Sequence, residues 1–264
     1  MPFYLTDIHR FRWFILGSVK REFASRYSNS MLGAAWLFLQ PLAQIAVYTL
    51  VFANLMGSRL PSVASQFGYS IYLCAGILTW GLFAEITARS QGMFIDNANL
   101  LKKLSFPRIV LPVIVLLSAC SGFLIAFGLF LGFLIVSGHF PGAALLALPL
   151  VLGVEVVFAM GLGINLGVLN VFFRDVGQLF TIALQFWFWL TPIVYPIDTL
   201  SGWPKTLILL NPMTPLMLAF QDILVRGVPP DWPSLAPTLG LGLLLCALGL
   251  GLFRRKAGEI ADEL

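Results

Sequence analysis

The sequence predicts an all-α membrane protein with six transmembrane helices, and two observations lead to this prediction. Hydrophobic residues make up 59% of the 264 residues and charged residues only 11%, whereas a soluble domain carries about 25% charged residues. Apolar runs of about 20 residues, the length that crosses a bilayer as a helix, recur along the whole chain. Both observations argue against an ordinary water-soluble fold.

The apolar runs predict six spans within a single transmembrane domain, residues 1–264. These spans lie at 33–56, 67–88, 109–136, 144–171, 178–195 and 234–253. The stretch 203–225 could be counted as a seventh, but Asn211-Pro212 and Pro215 break it. Each of its pieces is too short to cross about 30 Å of hydrocarbon. We therefore predict short re-entrant or interfacial helices in an outer region at 196–232.

The positions of the cations predict the orientation of the chain. With six spans and both termini in the cytoplasm, five lysines and arginines precede the first span. Four more lie in 89–108, one is Arg174, and three lie in the tail at 254–256. That places 13 of the 16 on the cytoplasmic side, as the positive-inside rule requires. The same placement explains the net charge of +4 without a nucleic-acid partner.

The residues before the first span predict an amphipathic interface helix on the cytoplasmic side, within 1–32. Its apolar residues recur at helical spacing: Ile8, Phe11, Ile15, Val19 and Phe23. Trp13 suits the boundary between water and lipid, although Arg12, Glu22 and Arg26 interrupt the apolar stripe. The segment lacks the apolar core and cleavage site of a signal peptide.

The sequence contains no motif for phosphate-binding or hydrolytic chemistry. No lysine follows a glycine, so a phosphate-binding P-loop is excluded. His9 and His139 are far apart, and no G-x-S-x-G elbow is present. Cys74, Cys120 and Cys246 lie in apolar runs without metal-ligand spacing, and we interpret them as buried thiols. If the protein does energy-driven work, the energy must therefore come from elsewhere.

Glu155 is the most unusual charge, because it lies well inside the fourth predicted span. Acids within the membrane are read by default as functional groups that face a bundle interior or an aqueous cavity. The alternative is an internal hydrogen bond, or a position near the outer interface. Glu85 is less unusual, because Arg89 follows one helical turn later and predicts a structural ion pair.

The aromatic stretch "FWFWLTPIVYP" at 186–196 has two interpretations. Its rings can form an outer aromatic belt at the water–lipid boundary. Alternatively, some of them face a conduit and stack on the C–H faces of sugar rings. Trp187, Trp189 and Tyr195 are the candidates for this second role.

Six stretches in family order resemble the membrane subunit (permease) of ABC-2-type exporters, in the branch that exports O-antigens, capsules and teichoic acids. They are "RYSNSMLGAAWLFLQPL" at 26–42, "NANLLKKLSFPRIVLP" at 97–112, "NVFFRDVGQLF" at 170–180, "FWLTPIVYP" at 188–196, "LNPMTPLMLAFQDIL" at 210–224 and "FRRKAGEIADEL" at 253–264. Together they span nearly the whole chain, so the resemblance implies the ABC-2-type exporter fold.

The resemblance also implies the partners and the location. We expect a homodimer in the bacterial inner (cytoplasmic) membrane, bound to two separate ABC ATPase subunits. Mg-ATP would be bound by those subunits, and no cofactor by this chain. The expected substrate is a polysaccharide linked to undecaprenyl diphosphate.

The resemblance assigns roles to three sets of residues. A coupling helix at 97–108 would dock on the ATPase through Asn97, Leu100, Leu101, Lys102, Lys103, Leu104, Phe106, Pro107 and Arg108. The interface helix would use Phe11, Trp13, Ile15 and Arg21. The substrate path would be lined by aromatic residues of spans one and five, and we add Glu155 to give the set Trp36, Tyr48, Trp187, Trp189, Tyr195 and Glu155.

Three alternative functions stay open. An ABC-2 permease for a small lipid or drug would have the same topology. A membrane enzyme acting on polyprenyl-linked sugars would need clustered polar groups near one membrane face, and the cytoplasmic loops between spans offer only Asp96 and Asp175 as acids. A passive channel or scaffold would function without an ATPase.

Overall fold

We describe the fold from a computed structural model, in which residues 9–27, 31–52, 67–103 and 109–263 are described. These residues form helices and connecting turns, with no strand among them. In chain order the helices are α1 (Arg12–Tyr27), α2 (Trp36–Val47), α3 (Gly68–Asp96), α4 (Ala98–Lys103), α5 (Val110–Val136), α6 (Leu148–Phe172), α7 (Asp175–Trp189), α8 (Trp203–Leu209), α9 (Met213–Gln221) and α10 (Trp232–Glu263). A π-helical turn continues α2 through Tyr48–Phe52, and a second continues α9 through Asp222–Arg226.

Four segments are long and apolar enough to cross a membrane: α3, α5, α6 with its preceding turn, and α10. They correspond to the second, third, fourth and sixth predicted spans. The pair α8 and α9 would be a fifth only if counted as one span, and its two parts are bent by 89°. This bend is the break that Asn211-Pro212 predicts. The chain is therefore a multi-pass helical membrane protein.

The first and fifth predicted spans are shorter helices in the structure. Helix α2 has 12 residues, contains Pro41 and passes into the π-helical turn. Helix α7 has 15 residues and ends at Trp189, although the predicted span continues to residue 195. Pro192 explains this early end, because proline has no N–H for a helical bond and disfavours helix in the residue before it.

Helix α3 is the centre of the bundle and packs against α5, α6, α7 and α9. Two of its buried hydroxyl groups donate within their own helix, from Thr79 Oγ1 to the Ala75 carbonyl and from Thr87 Oγ1 to the Phe83 carbonyl, both at 2.8 Å. Backbone polar groups in a bilayer must be satisfied internally, and the helical core meets this requirement.

The contacts define two ends of the bundle, which we call the α4 end and the far end. At the α4 end, α3 leads into α4, and Phe94 stacks on Phe253 of α10 with ring centroids 5.6 Å apart. At the far end, the first turns of α3 contact the segment 192–195 that follows α7. The α4 end carries the described cations of α1, α3, the α6–α7 turn and the tail, whereas the far end carries Lys205 and Arg226.

Candidate functional site

The first candidate site is the junction where α3 leads into α4. Asn97 closes α3, because its Nδ2 donates to the Met93 carbonyl at 2.8 Å, and the Leu101 amide then donates to the Asn97 carbonyl at 3.0 Å. The side chain of Leu101 is half-buried against the core of the bundle. It therefore packs partly inside the chain, and only its remaining surface can contact another protein.

The remaining predicted docking residues are described only in part. Leu104, Phe106, Pro107 and Arg108 lie outside the described residues, and for Leu100, Lys102 and Lys103 only the helical backbone of α4 is described. Their role in docking stays a prediction.

Helix α1 packs beside α5 at the α4 end with its apolar side inward. Ile15 is buried, whereas Trp13 is 73% exposed. Phe11, Val19 and Phe23, the other described members of the predicted stripe, are half-buried. The exposed face of α1, which carries Trp13, is thus available to lipid or to a partner.

A half-buried charge network attaches α1 to α3. Arg89 forms an ion pair with Glu22 of α1 and a second one with Glu85, at 3.3 Å from Arg89 Nη1 to Glu85 Oε1. The Glu85–Arg89 pair predicted from the sequence is confirmed, and the structure adds Glu22. Arg21 donates to Ser18 Oγ at 2.8 Å. These groups border a cavity of about 420 Å³ whose opposite wall is formed by α5.

Asn170 joins three helices at the α4 end. Its Nδ2 donates to the Gln91 carbonyl of α3 at 2.9 Å, and its Oδ1 accepts the Gly177 amide of α7 at 3.0 Å. Asn170 itself belongs to α6 and is buried. In the sequence, Asn170 is marked only by its place in the stretch 170–180.

The far end contains a second polar junction, around the turn that follows α7. The single hydroxyl proton of Tyr72 is shared between the Pro192 carbonyl, at 3.0 Å, and the Tyr195 carbonyl, at 2.9 Å. Tyr69 donates to the Val194 carbonyl at 2.8 Å, and Gln221 Nε2 to the Pro192 carbonyl at 3.0 Å. The turn is thereby held by α3 and α9 together.

Asn211, in the bend between α8 and α9, completes this junction. Its Oδ1 accepts Trp187 Nε1 at 2.8 Å, and its Nδ2 donates to the Leu190 carbonyl and to Thr191 Oγ1, both at 2.9 Å. The bend is therefore attached to the last turn of α7.

The predicted path residues of α7 lie on different sides of that helix. Trp187 packs inward, with its ring centroid 5.2 Å from that of Phe83 and 6.3 Å from that of Phe158. Trp189 is 60% exposed. Tyr195 follows the helix, and its hydroxyl group donates to the Trp189 carbonyl at 2.9 Å. Only Trp189 presents most of its ring to the outside of the chain.

The predicted path residues of the first span line a groove on the surface of α2. Trp36 and Tyr48 border a groove of about 350 Å³, together with Gln40 and Gln44. A groove of aromatic rings and side-chain amides has the chemistry to contact sugar rings and hydroxyl groups. The role of both residues in a substrate path stays a prediction.

Glu155 lies in the interior of the bundle with no exposed surface. Among the described residues neither of its carboxylate oxygens has a hydrogen-bond partner. The carboxyl group is thus enclosed within the single chain. Its membership of a substrate path stays a prediction.

No cluster of three or more histidine, cysteine, aspartate or glutamate side chains that could hold a metal ion occurs among the described residues. The three cysteines are free thiols, of which Cys74 is buried and the other two are half-buried. The polar side chains with the most extensive contacts are instead amides, hydroxyls and the Arg89 network, which fix helices to one another.

Comparison with known proteins identifies relatives over nearly the whole chain. Residues 15–225 match the family described as ABC-2 type transporter. The O-antigen export system permease protein RfbA of Myxococcus xanthus is 27% identical over 260 residues, which are 98% of both chains. A protein of the same name from Klebsiella pneumoniae is 28% identical over 92% of both chains. The polysialic acid transport protein KpsM of Escherichia coli is 21% identical over 89% of this chain and 90% of its own.

Proposed function

The chain belongs to the ABC-2 type transporter family, and we propose that it is the membrane subunit of an ATP-driven exporter of an O-antigen-type polysaccharide linked to undecaprenyl diphosphate. The observation that carries this proposal is its similarity to O-antigen export permeases along 98% of both chains. The family and the permease names of the relatives favour a transport subunit over an enzyme.

We propose six crossings, because the ends of the two short helices support full traversal. Helix α7 begins where Gly177 contacts Asn170 at the α4 end, and it ends at the Tyr72 junction at the far end. Helix α2 runs from the turn beside α1 to Tyr48, whose carbonyl accepts Ser70 Oγ at the start of α3. Both helices thus connect opposite ends of the bundle, although each is shorter than about 20 residues.

The same reasoning supports a re-entrant pair rather than a seventh span. Helix α8 follows the far-end turn, and the segment after α9 returns to the far end. There Gly227 lies close to Pro141: a Cβ atom added at Gly227 would be 3.5 Å from the Pro141 carbonyl oxygen. Thr238 near the start of α10 donates to the Pro212 carbonyl at 2.9 Å. Because the α8–α9 segment starts and finishes at the far end, it does not cross the bundle.

We further propose that the α4 end is cytoplasmic and that the protein lies in the bacterial inner membrane. Of the 14 lysines and arginines among the described residues, 12 belong to segments of that end and two, Lys205 and Arg226, to the far end, as the positive-inside rule requires. Both termini are then cytoplasmic.

Transport requires partners that this chain does not supply by itself. We propose a homodimer bound to two ABC ATPase subunits, which bind Mg-ATP. The coupling helix within 97–108 and the exposed face of α1 would contact these subunits. The exposed faces of α2 and α7 of the two copies would border the conduit, with Trp36, Tyr48 and Trp189 along it.

The proposal is tested by deleting the gene for this chain in its source organism. If the chain is the export permease, lipid-linked polysaccharide should accumulate inside the deletion strain and surface polysaccharide should disappear. A plasmid copy of the gene should restore the surface polysaccharide. Normal surface polysaccharide in the deletion strain would contradict the proposal. Turnover of polyprenyl-linked sugars by the purified chain, without any ATPase, would favour the enzyme alternative.

The docking proposal has a separate test at Leu104. Leu104→Asp places a charge in the predicted apolar contact, so the ATPase subunits should no longer co-purify while the amount of chain in the membrane stays normal. Leu101→Asp is the matched variant. Because Leu101 packs partly on the core, this change should lower the amount of chain in the membrane as well as the co-purification of the ATPase subunits. An intact and active complex containing Leu104→Asp would overturn the docking role.

A further inference from the structure

We infer that α3, α6 and α7 move as one rigid body during transport, and that Asn170 is the positioning residue that transmits movement from the coupling segment to α7. This inference rests on the proposed function, because it specifies how work done at the α4 end reaches the helix that faces the conduit. Three separate connections between the helices support it.

The first connection is Asn170 itself. The first backbone N–H groups of a helix have no partner within that helix, and the residue before α7, Arg174, supplies no side-chain cap. The Gly177 amide is bonded instead to Asn170 Oδ1, and the other half of the same amide group donates to the Gln91 carbonyl. Only a side chain with both a donor and an acceptor can connect α3 and α7 in this way.

The second connection is the close packing of α6 on α3 beside Asn170. A Cβ atom added at Gly167 would lie 2.5 Å from the Ser90 carbonyl oxygen, and one added at Gly163 would lie 2.5 Å from Ser90 Cβ. The two helices therefore touch at their backbones next to Gln91. Sliding or rotation of α6 against α3 would drive side chains into this contact.

The third connection lies at the middle and far end of α7. Trp187 packs on Phe83, and the ring centroids of Phe188 and Trp80 are 5.8 Å apart. Beyond α7, the Tyr72 hydroxyl holds the turn through a hydrogen bond shared between two carbonyl groups. Helix α7 is therefore attached to its neighbours at both ends and has no free end that could pivot against α3. Packed interiors also change between discrete arrangements rather than deforming continuously.

The mechanical consequence follows from the position of α4. Helix α3 ends at Asp96 and α4 begins at Ala98, so displacement of the coupling segment acts directly on α3. Because α7 is fixed to α3 at both ends and contains no proline, its exposed face moves with α3 as a unit. That face includes Ile182 and Trp189, which are 54% and 60% exposed.

A disulfide between α3 and the turn after α7 tests the rigid-body claim. A Cβ atom at Gly76 would lie 3.4 Å from Ile193 Cα, so the two Cα atoms are within about 5 Å of each other, inside the range of about 4.4–6.8 Å in which disulfides form. We would combine Gly76→Cys and Ile193→Cys in a chain whose own three cysteines are replaced, and first verify that the cysteine-free parent exports polysaccharide. The assembled transporter should then export at the same rate oxidised and reduced.

Failure of the disulfide to form on oxidation would contradict the geometry, and it can be measured without any transport. Loss of export on oxidation, with recovery on reduction, would overturn the rigid-body claim while leaving the proposed function intact. Absence of ATP-dependent export by the natural chain with its ATPase would instead overturn the proposed function.

Asn170→Ala tests the positioning role, and Asn165→Ala is the matched control. Asn165 is also on α6, and its Nδ2 donates to the Leu245 carbonyl of α10 at 2.7 Å, so it connects a different helix pair. We expect Asn170→Ala to lower polymer exported per ATP hydrolysed by about 3-fold to 30-fold, and Asn165→Ala to leave this ratio unchanged. Equal ratios for the two variants, measured at equal amounts of assembled complex, would overturn the positioning role.

Discussion

The contact between α6 and α10 and the contact between α3 and α7 are built in different ways. Along α6 and α10 the backbones touch, because a Cβ atom added at Gly161 would lie 2.7 Å from the Gly242 carbonyl oxygen. Between α3 and α7 the connections are made by aromatic rings and by side-chain hydrogen bonds at the ends. Small residues are the usual means of close helix packing in lipid, where burial of apolar surface gives little driving force.

The two contacts should therefore be weakened by opposite kinds of substitution. The glycine contact should be disrupted by one added methyl group and be insensitive to loss of hydroxyl groups. The polar contact should respond to loss of a donor atom without any change in side-chain volume. Substitutions of each kind therefore distinguish the two.

The largest effect is expected from Gly242→Ala in the α6–α10 contact. An added Cβ atom would lie 2.9 Å from both the backbone nitrogen and the Cα atom of Phe158, and overpacking of this kind costs about 1–3 kcal/mol. Gly240→Ala is the control, because nothing lies within 4 Å of a Cβ atom added there. Thermal unfolding in detergent should show a lower midpoint for Gly242→Ala alone. Equal midpoints would refute the backbone contact.

An intermediate effect is expected from Tyr72→Phe in the α3–α7 contact. The substitution removes the donor to the Pro192 and Tyr195 carbonyls, and buried hydrogen bonds within membranes contribute about 0.6 kcal/mol each. Tyr69→Phe removes the donor to one carbonyl, that of Val194, in a less buried contact, and should lower the unfolding midpoint by less. A larger loss from Tyr69→Phe would reverse the ranking and contradict the account of this junction.

The smallest effect is expected where α1 joins α3, outside both of these contacts. The Glu22–Arg89 pair is half-buried, and Arg89 retains Glu85 when Glu22 is changed. A double-mutant cycle of Glu22→Gln and Arg89→Gln should give a coupling energy of about 0.5 kcal/mol at low salt, and less at high salt. A coupling that does not fall with salt would show that Glu22 and Arg89 do not interact as an ion pair.

The sequence predicted the long helices well because hydropathy depends on composition alone. Hydropathy predicts a second span at 67–88, because Glu85 and Arg89 interrupt the apolar run there, and it carries no information on where the helix itself ends. The structure continues this helix to Asp96, with both charges paired within the bundle. The last helix likewise continues from the predicted limit at 253 to Glu263, through the charged tail.

The polar junctions could not be predicted from spacing along the chain. Asn170 is 79 residues from Gln91, and Trp187 is 24 residues from Asn211, so neither pair forms a local motif. The sequence does show polar residues next to apolar runs at these positions, within the stretches 170–180 and 210–224. Such a polar residue can be noticed in the sequence, but the residue to which it hydrogen-bonds cannot, because that pairing depends on how the helices pack.

The most direct test of the central claim, that α3 and α7 move together, is a distance measured within one chain during the transport cycle. Spin labels at Ala88 on α3 and Leu179 on α7, both exposed in the single chain, would be compared in nucleotide-free and ATP-trapped complexes that carry one labelled chain. If α3 and α7 move as one body, the distance between Ala88 and Leu179 is the same in both states. The distance between labels at Ile182 of the two copies should change. A change in the Ala88–Leu179 distance on ATP binding would contradict the claim that α3 and α7 move together.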